Sequence, residues 1–155
     1  MKLPLISVII PVHNQQNYLG RCLRSILDQS LVKEDYEIIV IDDGSTDDSK
    51  NIYNIFIDNI VLIKQTKNSG LPSALNKGIK SAKGRFIIRL DSDDYVHHEY
   101  LKILSLFLSL NDDIDAVACD YLLVNEDEKV IELKNCMDYP IGCGIMFRQS
   151  HIVEL

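Results

Sequence analysis

The chain has 155 residues, of which 46% are hydrophobic and 25% charged, and its formal net charge is −7. This length and composition predict a single soluble globular domain over residues 1–155 and exclude a disordered or fibrous protein. The acidic balance excludes nucleic acid as the main partner, because surfaces that bind nucleic acid are basic and clustered.

Strand-like and helix-like segments alternate along the chain, which predicts an α/β fold with a mostly parallel sheet flanked by helices. The predicted strands are 6–11, 36–41, 60–63, 86–90, 115–124 and 130–133, and the predicted helices are 18–29, 49–57, 72–82 and 100–110. Side chains of 14–17 are expected to cap the first helix. The helix 100–110 is apolar nearly all round, so we expect it to be well buried. A helix-like start at 149–155 stops after one or two turns, which predicts a fold that is incomplete at its C-terminus.

Two further features bear on location. No stretch approaches the roughly 18 apolar residues of a membrane span, and the N-terminal residues lead into a strand rather than a signal peptide. The four cysteines form no Cys-x-x-Cys pair and have no nearby histidine at zinc-ligand spacing. These features predict a cytoplasmic protein with no transmembrane segment and with reduced thiols.

Polar residues follow three of the predicted parallel strands. They are Val12-His13-Asn14, Asp42-Asp43-Gly44-Ser45 and Asp91-Ser92-Asp93-Asp94. Loops at the carboxyl ends of parallel strands converge on one edge of the sheet, so these residues are expected to line one pocket. The pocket is acidic, and a divalent ion such as Mg²⁺ or Mn²⁺ would reverse its field and hold the phosphates of a nucleotide. Metal and nucleotide are therefore a joint hypothesis.

The acidic residues have other interpretations. Asp91 to Asp94 can form a turn that caps the next helix, and Asp43, Ser45 and Asp47 suit a capping or turn role. Asp42 ends an apolar strand, where a carboxylate can accept hydrogen bonds from a base or ribose. A receiver-like phospho-acceptor pocket at Asp42 and Asp43 is a third alternative. The sequence has neither Gly-x-Gly-x-x-Gly after the first strand nor a P-loop motif, which argues against dehydrogenases and P-loop enzymes.

Several motifs in order carry a resemblance to a known family. They are Ser7 to Asn14, Val40 to Asp47, Asn68 to Gly70, Ala74 to Gly78, Ala82 to Gly84 and Leu90 to Asp94. Together they cover nearly the first hundred residues, and the chain resembles the family 2 glycosyltransferases of the Rossmann-like GT-A fold. The resemblance implies a metal-dependent enzyme of the hexosyltransferase kind.

Site residues follow from the same resemblance. Pro11, His13 and Asn14 match the first nucleotide-contacting loop, in which the His13 ring is expected to pack on the base. Asp42 matches the aspartate that contacts the nucleobase.

Asn68, Gly70 and Asn76 match the segment that passes near the nucleotide, although Asn76 is equally suited to holding backbone. Asp91 is expected near the ribose and Asp93 on the Mn²⁺ or Mg²⁺ ion that bridges the diphosphate, with Asp91 as the second candidate ligand.

The implied reaction is inverting transfer from a nucleotide-sugar donor to a saccharide or lipid-linked acceptor, as in cell-surface polysaccharide synthesis. UDP is the expected nucleotide, and GDP and dTDP are alternatives. Peripheral association with a membrane is a further alternative. In this family the general base follows a strand that Gly144 to Arg148 resembles, and Glu154 does not match it. The acceptor-binding part is therefore expected to be truncated, and the alternative is a nucleotide-sugar and metal-binding module without transferase activity.

Overall fold

The computed structural model describes residues 3–152. The strands are β1 (Ile6–Val12), β2 (Tyr36–Asp42), β3 (Val61–Lys64), β4 (Phe86–Arg89), β5 (Ala116–Ala118), β6 (Tyr121–Val124), β7 (Val130–Lys134) and β8 (Ile145–Arg148). The helices are α1 (Leu19–Leu27), α2 (Ser49–Ile55), α3 (Leu71–Ser81) and α4 (Tyr100–Leu110). Most predicted boundaries lie within two residues of these.

The main sheet has six strands in the order β3-β2-β1-β4-β8-β5. β1 pairs in parallel with β2, where Ile6 lies opposite Tyr36, and with β4, where Ile6 lies opposite Phe86. β8 runs antiparallel to β4 and β5. The predicted mostly parallel sheet is therefore confirmed. Because the chain steps outward from β1 to β3 and then returns to the other side of β1, the strand order reverses between β1 and β4, where open α/β sheets bind ligands.

Both faces of the sheet are buried, which explains why the central strands are almost continuously apolar. Successive side chains of a strand point to opposite faces. Val8 and Ile10 of β1 therefore join the core with α1 and α4, while Ile9 joins a second core with Ala74 of α3. This two-sided packing holds the carboxyl ends of β1, β2 and β4 in fixed positions.

The prediction of one strand over 115–124 is wrong. β5 belongs to the main sheet, whereas β6 pairs with β7 in a separate hairpin. The chain leaves the main sheet between them. The Cys119 amide still donates to the Gly144 carbonyl next to β8, whereas the Asp120 carboxylate accepts from the Cys136 amide just after β7. An apolar run gives no signal for such a change of partner.

The expectation that α4 is well buried is also wrong. Leu101, Leu104 and Leu108 are buried, but Ile103 is 61% and Leu110 74% exposed. Only one face of α4 packs on the sheet. Helices among residues 3–152 are in every case too short or too polar to cross a membrane.

The predicted capping of α1 is wrong as well. Tyr18 is the N-cap residue, and no side chain caps the helix. The side chains of Asn14 and Gln16 instead accept hydrogen bonds from the amides of Thr46 and Asp48. At the other end, Gln149–His151 form a short 3-10 turn, and the rest of the predicted helix, with Glu154, lies outside the described residues.

Candidate functional site

A cleft of about 360 Å³ lies at the carboxyl edge of β1, β2 and β4. Six of the predicted site residues line it, namely Pro11, His13, Asn68, Gly70, Asp91 and Asp93. Asn14, Asp42 and Asn76 lie outside the lining. The volume falls in the range of small-molecule sites. The loops after β1, β2 and β4 thus meet as the sequence predicts.

The loops after β1 and β2 are joined by direct hydrogen bonds. His13 donates from Nδ1 to the Asp43 carbonyl over 3.0 Å. Asn14 has a positive φ of 54°. Its side-chain oxygen accepts from the Thr46 main-chain amide over 2.8 Å, and its main-chain amide donates to the Ser45 hydroxyl. Asparagine tolerates this backbone conformation better than most residues. In this structure Asn14 therefore shapes the loop that presents His13 to the cleft.

Asp42 lies beneath the loop that follows β2. Its side chain is buried and accepts from the Ser45 amide and from the Tyr53 hydroxyl, each over 2.9 Å. Burial, together with the hydrogen bond to Asp42, raises the pKa of Tyr53 to about 12, so the hydroxyl stays a donor at neutral pH. With these bonds in place the Asp42 carboxylate is directed into the protein, and its contact with a base stays a prediction.

Asp43 is a site residue that the sequence interpretation assigned to a turn. Its carboxylate accepts from the Ser69 and Gly70 amides, each over 2.8 Å. Gly44, with a φ of +71°, brings the loop so close that a Cβ atom there would lie 2.6 Å from the Lys67 carbonyl carbon. Asp43 therefore fastens the cleft wall around Asn68 and Gly70 to the end of β2. The bonds on Asp42 and Asp43 disfavour a phospho-acceptor role.

The three aspartates of the acidic loop have different surroundings. Asp91 accepts two hydrogen bonds from Arg89, Nε to Oδ1 over 2.6 Å and Nη2 to Oδ2 over 2.9 Å. Asp94 accepts from the Cys143 thiol, with Sγ 3.0 Å from Oδ2. Within residues 3–152 the Asp93 carboxylate has no hydrogen-bond or ion-pair partner. Asp93 is thus the carboxylate of this loop that is free to bind a ligand.

The loop's backbone is held from the side of α1. The Arg21 guanidinium donates to the Asp93 carbonyl over 3.1 Å and lies 4.2 Å from the centroid of the Tyr95 ring. It also pairs with Glu128 in the turn between β6 and β7. These contacts fix the main chain of the loop, and the exposed Asp93 is among the residues that line the cleft.

Electrostatics at the loop favour a cation. Burial raises the pKa of Asp94, and the nearby charges of Asp93 and Asp91 raise it further, while the hydrogen bond from Cys143 acts in the opposite direction. Burial and the hydrogen bond to Asp94 raise the pKa of Cys143, so its thiol is a neutral donor. Three carboxylates within four residues repel one another unless a positive charge joins them.

The residues present fit a hard divalent ion. Ligand-type atoms of Asp91, Asp94 and Cys143 lie within 4.8 Å of one another, and two of them are carboxylate oxygens. Asp93 is not part of this group, and its unpartnered carboxylate at the cleft is a separate candidate ligand. Mg²⁺ and Mn²⁺ prefer such oxygen ligands. Asp93 can bind an ion with no loss of existing contacts, whereas Asp91 would first have to release Arg89.

Comparison with known proteins places the chain in a family. Residues 7–151 match the family described as glycosyl transferase family 2. The chain belongs to glycosyl transferase family 2. The resemblance inferred from the motifs is therefore confirmed.

Proteins similar to this chain include larger enzymes. The poly(ribitol-phosphate) β-glucosyltransferase of Bacillus spizizenii is 48% identical over 62% of this chain, which spans 16% of that enzyme. The crystal structure of TarS 1–349 from S. aureus in complex with UDP-GlcNAc matches 94% of this chain at 26% identity with a TM-score of 0.80, and the chain spans 45% of it. A mannosyltransferase from Pyrobaculum calidifontis in complex with GDP-Man and Mn²⁺ shares the fold, with 22% identity and a TM-score of 0.70. The predicted Rossmann-like GT-A fold is confirmed.

Two residues next to the acidic loop were missed from the sequence, Arg89 and Cys143. Arg89 carried a signal, because a charged residue at the end of an apolar strand, two residues before Asp91, shares its side of the strand. The signal for Cys143 was its place between Gly142 and Gly144, where the chain can approach other segments closely. Asp43 was expected in the pocket, but its role in fastening the Ser69 and Gly70 amides had no signal, since these partners come from a segment 26 residues downstream.

Proposed function

We propose that this chain is the donor-binding domain of a metal-dependent, inverting hexosyltransferase that uses a nucleotide diphosphate sugar. UDP is the preferred nucleotide, and the acceptor is a saccharide or a lipid-linked acceptor in cell-surface polysaccharide synthesis. The observation that carries the proposal is the unpartnered Asp93 carboxylate in a cleft walled by the loops after β1 and β2. The names of the relatives, a poly(ribitol-phosphate) glucosyltransferase and a UDP-GlcNAc complex of TarS, support donor and pathway.

Each wall of the cleft has a task in holding the donor. Pro11 and the His13 ring form an apolar surface for the base, and Asp42 is proposed to read the base once its loop adjusts. Asn68 and Gly70, fastened by Asp43, follow the nucleotide along the second wall.

Asp91 is proposed to accept from the ribose hydroxyls and Asp93 to hold Mn²⁺ or Mg²⁺. When bound, the ion supplies positive charge that neutralises the departing diphosphate. The acceptor hydroxyl attacks the anomeric carbon from the face opposite the diphosphate, and the bond between that carbon and the diphosphate breaks. Attack from the opposite face inverts the configuration, while a carboxylate acting as general base takes the proton of the hydroxyl.

A second candidate is a module that binds nucleotide sugar and metal without transferring the sugar. Among residues 3–152, the three carboxylates that line the cleft are Asp43, Asp91 and Asp93, and each already has a structural or binding task. None of them is left to serve as the general base. If the chain is such a binding module, another polypeptide segment binds the acceptor and provides the general base.

A panel of radiolabelled UDP-, GDP- and dTDP-sugars separates the candidates. We expect Mn²⁺-dependent hydrolysis or transfer with one UDP-sugar, abolished by Asp93→Asn and kept by Asp127→Asn, since the exposed Asp127 carboxylate pairs with Lys129 and does not line the cleft. Binding of the same donor without turnover favours the module. Absence of binding and turnover with every donor, beside an active full-length family member, would contradict the proposal.

A further inference from the structure

Arg89 holds Asp91 through one edge of its guanidinium group. Its Nε and Nη2 atoms occupy both carboxylate oxygens of Asp91, and the two side chains are each 28% exposed. Within residues 3–152, Nη1 has no hydrogen-bond partner. A two-point contact of this kind fixes the orientation of a carboxylate, which a single charge does not.

The Gly142–Gly144 turn lies against the same group. A Cβ atom on Gly142 would lie 2.9 Å from Arg89 Nη1, so the guanidinium occupies space that any side chain there would fill. The next residue, Cys143, donates to Asp94. The turn therefore supports Arg89 on one side and the end of the acidic loop on the other.

Arg89 is also the one arginine or lysine among the described residues that line the cleft, which otherwise carry Asp43, Asp91 and Asp93. A diphosphate needs positive charge on more than one of its oxygens. A guanidinium group can bind a carboxylate with one edge and still donate to a phosphate with its remaining hydrogens. A metal held by Asp93 and the free end of Arg89 are thus complementary.

We propose that Arg89 is both a positioning residue for Asp91 and a contact for the donor diphosphate. Its Nε and Nη2 edge keeps Asp91 directed to the ribose and away from the metal, so the ion rests on Asp93. Its Nη1 atom donates to the diphosphate. The inference rests on the proposed function, because it assumes that a nucleotide diphosphate sugar occupies the cleft.

Two binding measurements test this proposal for Arg89, and removal of the guanidinium is expected to change the two affinities in opposite directions. Free Mn²⁺ is titrated by electron paramagnetic resonance without nucleotide, and UDP is titrated by calorimetry at saturating Mn²⁺. In Arg89→Met, release of Asp91 and loss of a nearby positive charge should tighten Mn²⁺ binding about threefold. The lost phosphate contact should weaken UDP binding about tenfold.

Three other variants separate charge, orientation and folding. Arg89→Lys keeps the charge but loses the two-point contact, so its UDP affinity should fall between the wild-type chain and Arg89→Met. Gly142→Ala shifts the guanidinium and should weaken UDP binding with its charge intact. Arg85→Met, which removes an exposed arginine paired with Asp112, should change neither affinity.

Weaker binding of both Mn²⁺ and UDP in Arg89→Met would show a merely structural role and overturn the inference, as would no change in either. If the unaltered chain binds no UDP in the presence of Mn²⁺, the proposed function and the diphosphate contact both fail. The Mn²⁺ titration then still decides whether Arg89 restrains Asp91, since tighter binding in Arg89→Met supports the restraint and unchanged binding refutes it.

Discussion

Replacement of Asp43 by asparagine is expected both to loosen the cleft wall and to destabilise the fold. The carboxylate accepts from the Ser69 and Gly70 amides at 2.8 Å while only 4% exposed. Hydrogen bonds to a charged group contribute about 1.5–3 kcal/mol each. Asparagine keeps one acceptor oxygen and turns its NH₂ group toward the other amide. Because Ser69 is exposed and its amide can bind water, we expect a net loss of about 2 kcal/mol.

Thermal and urea unfolding followed by circular dichroism measure this loss. For a chain of this length, about 2 kcal/mol corresponds to a fall in Tm of roughly 4–8 °C. UDP binding should weaken in parallel because Asn68 and Gly70 are no longer fixed. Asp127→Asn is the matched control, since Asp127 is exposed and its carboxylate pairs with Lys129 over 3.7 Å. Equal Tm values for the two variants, with unchanged UDP affinity, would refute the role of Asp43.

Three further substitutions test other parts of the structure. Tyr53→Phe leaves a buried Asp42 oxygen without its donor and should cost about 1.5–3 kcal/mol in urea unfolding. Because the folded-state pKa of Tyr53 is raised to about 12 from 10.0, the wild-type advantage should be complete below pH 10 and disappear as the pH rises through 12; a constant difference would contradict this. Gly44→Ala should destabilise the chain by more than 1 kcal/mol, because it combines a positive φ with a Cβ 2.6 Å from Lys67, and a neutral effect would show that the two loops separate easily. Arg148→Met removes a buried cation that donates to three main-chain carbonyls around the end of α4 and should cost about 3 kcal/mol or more by calorimetry, whereas a loss below 1 kcal/mol would show that water replaces it.

The order of elements and the edge that carries the cleft were predictable from the sequence. The apolar runs of β1, β2 and β4 are typical of strands buried on both faces, and polar residues follow each of them. That combination predicts that His13, Asp91 and Asp93 lie at one edge of the sheet, and all three line the cleft. Pro72 at the start of α3 and Gly84 after its end similarly marked a helix.

Partners distant in sequence were not predictable. Asp42 and Asp43 are adjacent and chemically identical, yet one is directed into the core toward Tyr53 and the other toward the Ser69 and Gly70 amides. Which of them faces the cleft depends on the exit of the chain from β2 and on Gly44. The split of 115–124 between two sheets and the exposed side of α4 likewise depend on packing partners, which local hydrophobicity does not specify.

The proposed function requires that Asp93 holds a divalent ion on which nucleotide binding depends. Isothermal titration of UDP into the chain with and without Mn²⁺, repeated with Asp93→Ala, tests it most directly. We expect saturable binding of UDP that requires Mn²⁺ and is lost in Asp93→Ala, while Asp127→Ala binds UDP as the wild-type chain does. Equal UDP affinity in the wild-type chain and Asp93→Ala, or affinity that does not change on addition of Mn²⁺, would contradict it.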